Sequence, residues 1–168
     1  MAWTTSLNLL IDCEGGYVFT NPPEGATFAG VMQKYYVAWC AQHGRVPTWP
    51  PTQEAVASYY HDAYYTPYHC DAFPEPADAV ALQLVANLPW QQAHQALQVA
   101  VGAYPDADIG PVTLAAIRNW PTRELADRLL CAQVMHYCDS NPIGGENFRG
   151  LVSGRIGKVR AFLANAGY

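Results

Sequence analysis

The chain is short of charge, and shortest of positive charge. Only 14% of its 168 residues are charged, and residues 1–117 hold two basic side chains, Lys34 and Arg45, against ten acidic ones. That segment balances at −8, whereas residues 118–168, with seven basic and four acidic residues, balance at +3. An acidic chain without a dense basic stripe is not expected to bind nucleic acid. The basic C-terminal end suits an anionic polymer or simply a solvated helix face, and a balance of +3 favours the latter. No apolar run reaches membrane-spanning length, so no integral membrane segment is expected. The opening Met1-Ala2-Trp3-Thr4-Thr5 has no basic segment leading into an apolar one and does not read as a secretory signal. The five cysteines (Cys13, Cys40, Cys70, Cys131, Cys138) are odd in number, scattered, and form no CxxC pair. This argues against a disulfide framework and against a zinc site. They read as core residues, and no metal or cofactor is expected.

What is present is a globular composition, 51% apolar, long enough for one domain with a real core. Helix signals dominate. If residues 5–14 are helical, Leu7, Leu10, Ile11 and Glu14 share one face, because spacings of three, four and seven nearly superimpose. Gly15-Gly16 then stops the helix directly after the carboxylate. A carboxyl group on the buried stripe, at the negative end of the helix dipole, is pushed toward its protonated form and can serve as an acid. The spacing alone does not separate this from an amphipathic helix ending on an exposed glutamate.

Phe19 to Thr27, with two prolines and a glycine, reads as a loop or tight hairpin. A helix is expected over 29–43, a connector over 44–51, and a helix from 53 to about 66 capped by Thr52. Tyr59, Tyr60, Tyr64 and Tyr65 crowd that helix; such stripes are core, or platforms for the apolar faces of sugars, and core is the weightier reading. Further helices are expected over 76–87, from Pro89 to Gly102 with Trp90, Ala93, Leu97, Ala100 and Val101 on one face, from Pro111 to Asn119, and over 122–138. In the last helix, Phe148, Leu151, Val152, Ile156, Val159, Phe162 and Leu163 form an apolar stripe, with Arg149, Lys158 and Arg160 outward. Asp106 and Asp108 lack the following acidic ligands of a calcium loop and read as turn chemistry. The expected fold is mainly α, with seven or eight helices and at most a small β-hairpin near residues 17–28.

Four stretches carry a family resemblance. Glu14-Gly15-Gly16-Tyr17, ending the first helix, resembles the start of glycoside hydrolase family 108, phage and bacterial N-acetylmuramidases. Gly25-Ala26-Thr27-Phe28-Ala29-Gly30-Val31 is similar to the family's glycine-rich loop leading to a threonine and a Gly-Val/Ile pair. Leu97–Gly102 with Asp108–Leu114 is similar to the peptidoglycan-binding segment that ends these enzymes, and Phe148-Arg149-Gly150-Leu151 with Arg155 is similar to its final helix. The resemblance runs in register over nearly the whole chain. It implies a lysozyme-like domain spanning 1–168, with a catalytic part over 1–88 and a peptidoglycan-binding-like helical part over 89–168. It also implies cleavage of peptidoglycan between N-acetylmuramic acid and N-acetylglucosamine, by an endolysin held in the host cytoplasm until another protein permeabilises the membrane. A monomer acting on glycan strands is expected.

On this resemblance the catalytic glutamate falls on Glu14. Glycoside hydrolysis also needs a second group to activate water or stabilise an oxocarbenium-like transition state. Glu24 is the candidate, though a solvated loop charge explains it nearly as well, and Thr27 would position the water by analogy with the lysozyme-like superfamily. Tyr17 and Asn87 are candidates to line the cleft, with structural roles as the alternative. The chain departs from the family where aspartates cluster: Val18–Glu24 holds Glu24 as its only acid, and Leu82-Gln83 stands where a Phe-Asp pair precedes the asparagine. Those departures support a second reading, a catalytically weak or inactive peptidoglycan-binding protein. An amidase or endopeptidase would need a zinc site or a Cys/His pair, which the spacing does not offer, and Cys13 points about 100° away from Glu14 on a helix.

Overall fold

The computed structural model describes residues 2–23, 25–140 and 146–168, with backbone alone for 140, 146 and 147. Glu24 therefore lies outside the described residues. The first helix, α1 (Ala2–Cys13), buries Leu7, Leu10 and Ile11 as the periodicity predicts, together with Ser6 and Leu9. It ends in a Schellman-type turn: Gly16 N–H donates to the Ile11 carbonyl at 2.8 Å, with Gly15 and Gly16 both at φ +89°.

A three-stranded antiparallel meander follows, β1 (Phe19–Thr20), β2 (Thr27–Phe28) and β3 (Val31–Met32), one strand more than a hairpin. The helix expected from residue 29 begins only at Gln33, as α2 (Gln33–Gln42). The reason is local. Ala29 (φ +51°) and Gly30 (φ +76°) form a two-residue turn with both central residues left-handed, which pairs Phe28 with Val31. This is the turn geometry that matches the twist of a hairpin.

Thr52 caps α3 (Gln53–Tyr60), its Oγ1 accepting from Ala55 N–H at 3.2 Å. The helix runs on through a π-helical segment, His61–Tyr65. Then come α4 (Ala77–Val85), wholly buried, α5 (Trp90–Val101), stopped by Gly102 at φ +78°, α6 (Pro111–Ile117), opened by its proline, and α7 (Thr122–Ser140). Trp90 departs from its expected place on the buried stripe of α5. It stands in the first turn and is 59% exposed, while His94 and Gln98 are buried instead. Likewise Cys131, read as core, is exposed.

The final stretch is one helical run: α8 (Glu146–Gly150), a π segment (Leu151–Ile156) and α9 (Gly157–Asn165). Counted so, the described residues form eight helices, as expected. Ile156, Val159 and Leu163 are buried, while Phe148, Leu151, Val152 and Phe162 are half-buried. Helix α4 is the axis of the core, packed on α1 and α7, with α5 against α7 and α9 returning to α1. A buried polar clasp joins α1 to α4: Ser6 Oγ donates to Asp78 Oδ2 at 2.6 Å, and Tyr65 Oη donates to the same oxygen at 3.2 Å. No helix among the described residues is long and apolar enough to cross a membrane.

Candidate active site

The C-terminal ends of α1, α3 and α4 converge beside the β-sheet. Between them lies a cleft of about 300 Å³ lined by Glu14, Gly30, Met32, Tyr35, Tyr59, Tyr60, Tyr64, Ala86 and Asn87. Glu14 is the sole carboxylate among these residues. A groove of about 370 Å³ between α5 and α7 is larger. Apolar side chains such as Leu88, Val99 and Met135 dominate its walls, so volume alone does not locate the chemistry.

Glu14 follows directly on α1, its N–H still donating to Leu10 O at 3.0 Å. Its side chain is only 19% exposed. Across it stands Arg155, from the π segment of the final helical run. Arg155 Nη1 donates to Glu14 Oε1 at 2.6 Å, and the arginine side chain is 15% exposed. Burial alone would lower the guanidinium pKa, but the Glu14 charge and hydrogen bond overturn that and raise it. Burial and the helix end, the two effects legible from sequence around Glu14, do not reveal this cation. What stands at the foot of the cleft is an ion pair, not a lone buried acid. Lys158, one turn further, donates to the Asp12 carbonyl and lies 3.4 Å from Asp12 Oδ1, so a second cation meets the negative end of α1. Both positively charged groups come from the C-terminal run, and π-helical insertions of this kind recur at functional sites.

The other face of Glu14 is closed by Gly30. A Cβ at position 30 would lie 2.6 Å from Glu14 Cγ, 2.7 Å from Glu14 Oε2 and 2.6 Å from the Tyr60 hydroxyl. Backbone thus approaches the carboxylate as only glycine permits. Tyr60 locks this turn, its hydroxyl donating to Ala29 O at 2.9 Å. Burial, and then the nearby Glu14 charge, push the Tyr60 pKa well up, and burial also raises Tyr59 and Tyr64. All three remain neutral hydroxyls that can donate. Tyr59 packs edge-on to Tyr60 at 5.6 Å and Tyr64 lies 5.7 Å from Tyr60, so the tyrosine stripe serves both as core and as cleft wall.

Of the residues singled out from sequence, the structure brings together Glu14 and Asn87. Asn87 Nδ2 donates to Gln83 O at 2.7 Å, which fixes its side chain at the end of α4. Thr27 lies on β2 with its hydroxyl on the Gly25 carbonyl at 3.2 Å, and Tyr17 packs against Phe28 at 6.1 Å; neither lines the cleft. Cys13 is half-buried, and burial pushes its thiol up to about 11, so it is not a thiolate nucleophile.

A carboxylate ending the first helix, beside a small antiparallel sheet and above a buried central helix, defines a lysozyme-like, mainly α fold. Residues 7–88 match the family model described as Glycosyl hydrolase 108. The match takes in every residue lining the cleft and leaves Arg155 outside it. Among solved structures, the chain is similar to Brucella abortus SagA, at 24% identity and a TM-score of 0.73, over 98% of this chain and 92% of that one. No curated protein matches the sequence.

Proposed function

We propose that the chain is a peptidoglycan hydrolase, an N-acetylmuramidase that cuts the β-1,4 bond between N-acetylmuramic acid and N-acetylglucosamine. The observation that carries this reading is Glu14 at the foot of a tyrosine-walled cleft, in a segment that matches the glycosyl hydrolase 108 family model. In this reading Glu14 is the general acid. Arg155 holds Oε1, so the ionised pair is the state after proton transfer, and the acid form needs a proton taken up on Oε2, the oxygen beside Gly30, before it can pass to the glycosidic oxygen. The carboxylate that results is at once paired with the guanidinium, which lowers the cost of the transfer. Glu24 would supply the second carboxylate and Asn87 would border the substrate, whereas Thr27 and Tyr17, which lie off the cleft, are given no part in the reaction. Residues 89–168 would add peptidoglycan contact, and the enzyme would reach the wall as an endolysin once the membrane is permeabilised.

Glu14→Gln removes the transferable proton and keeps the shape. It should lower the release of reducing ends from cell walls by about 10²–10⁴-fold in a protein that still unfolds in one cooperative transition, at a Tm lowered by the loss of the ion pair with Arg155. Unchanged release would refute the assignment. One observation favours the alternative of a wall binder without catalysis: Glu14 is the sole carboxylate among the described cleft residues, with Gln83 where the family carries an acid. Wall pull-down without release of reducing ends by the unaltered protein would select it.

A further inference from the structure

We propose that Lys34, beside the rim tyrosine of the cleft, determines specificity by reading a carboxylate carried on the bound glycan; the inference rests on the glycan-cleft reading above. Tyr35 lines the cleft from the first turn of α2 and is 52% exposed, a large aromatic ring left open at the rim. Such a ring offers a flat apolar face to a sugar. Lys34 places its ammonium 4.8 Å from the centre of that ring. A sugar resting against Tyr35 therefore lies within one side-chain length of a positive charge.

The charge stands out against its surroundings. Residues 1–117, which build the cleft apart from Arg155, hold only Lys34 and Arg45 as basic residues and balance at −8. Arg45 is turned elsewhere, over the Trp39 ring at 4.7 Å. Arg155 is consumed by Glu14. Among the described residues no carboxylate forms an ion pair with Lys34. The one carboxylate among the described residues of the cleft wall, Glu14, is already paired with Arg155, so Lys34 is the cation left to meet an acidic glycan at the rim. A neutral N-acetylglucosamine polymer gains nothing from it. A glycan bearing lactyl or peptide carboxylates gains one ion pair, so the residue favours the acidic class of substrate.

The test compares insoluble peptidoglycan with the same material after methyl esterification of its carboxyl groups, using both cleavage by the unaltered chain and sedimentation binding by Glu14→Gln. The ratio of affinities, acidic over esterified, should fall about twofold to fivefold in Lys34→Ala, further in Lys34→Glu, and be retained in Lys34→Arg. The difference should vanish in 1 M salt, where the screening length is about 3 Å. An unchanged ratio in Lys34→Glu, or equal losses on both polymers, would overturn the proposal. Binding by Glu14→Gln is read whether or not the unaltered chain cleaves, so failure of the muramidase reading leaves this outcome separately visible.

Discussion

Gly30→Ala is the sharpest probe of the site's geometry, since one methyl group meets three constraints. The backbone at Gly30 has φ +76°, a left-handed conformation that costs an L-residue about 1–2 kcal/mol. The added Cβ would lie 2.6 Å from Glu14 Cγ and from the Tyr60 hydroxyl, and 2.7 Å from Glu14 Oε2. Separations this short force a shift, and overpacking of this kind costs about 1–3 kcal/mol. The combined loss is about 2–5 kcal/mol, which for a domain of this size lowers Tm on the order of 10 °C. Because Glu14 is the side chain displaced, hydrolysis should fall more than stability accounts for at a temperature where the variant is fully folded. Differential scanning calorimetry and reducing-end release read the two effects. Tyr60→Phe removes one of the clashing atoms, so Gly30→Ala/Tyr60→Phe should lose less stability than the two single variants together. A Gly30→Ala protein with the parent Tm and activity would refute the close approach of backbone to carboxylate.

Two further perturbations test what holds the site. Arg155→Met leaves Glu14 mostly enclosed without its partner; the pair is 15% and 19% exposed, so urea denaturation should show a loss of about 1–3 kcal/mol, short of a fully buried pair. An unchanged midpoint would show that the ion pair contributes nothing in solution. Asp78 has its pKa raised by burial, against the hydrogen bonds from Ser6 and Tyr65 that lower it. The folded state therefore holds its proton more tightly than the unfolded chain. The stabilisation is complete below the ordinary aspartate value and is lost as pH climbs through the raised one. Asp78→Asn should show a flatter dependence of Tm on pH from about 4 upward, and parallel curves for the two proteins would contradict this.

Much of the fold is written locally, and the site only half so. The stripe of Leu7, Leu10 and Ile11, the glycine stop after Glu14, the Thr52 cap and the Gly102 stop each depend on neighbours within one or two turns, and each stands where periodicity and capping chemistry put it. The turn at Ala29-Gly30 falls inside the stretch 29–43 that reads as helix from sequence. The left-handed pair is imposed by strand pairing and by the Tyr60 hydroxyl from a distant helix. Arg155 is the larger omission. It lies 141 positions from Glu14, in a run whose apolar spacing gave no hint that a π-helical segment would turn one arginine toward the first helix. Its position in the final-helix resemblance was the one available signal. Trp90 shows the opposite error: helical spacing assigned it to a buried face, but in the first turn of α5 the stripe has not yet reached the core.

The account's central claim is that the chain cuts a glycosidic bond on the reducing side of N-acetylmuramic acid. Mass spectrometry of soluble fragments from purified cell walls measures this directly. The account predicts muropeptides ending in reducing N-acetylmuramic acid, with none from the Glu14→Gln variant. Fragments ending in reducing N-acetylglucosamine, or products of amide cleavage alone, would contradict it.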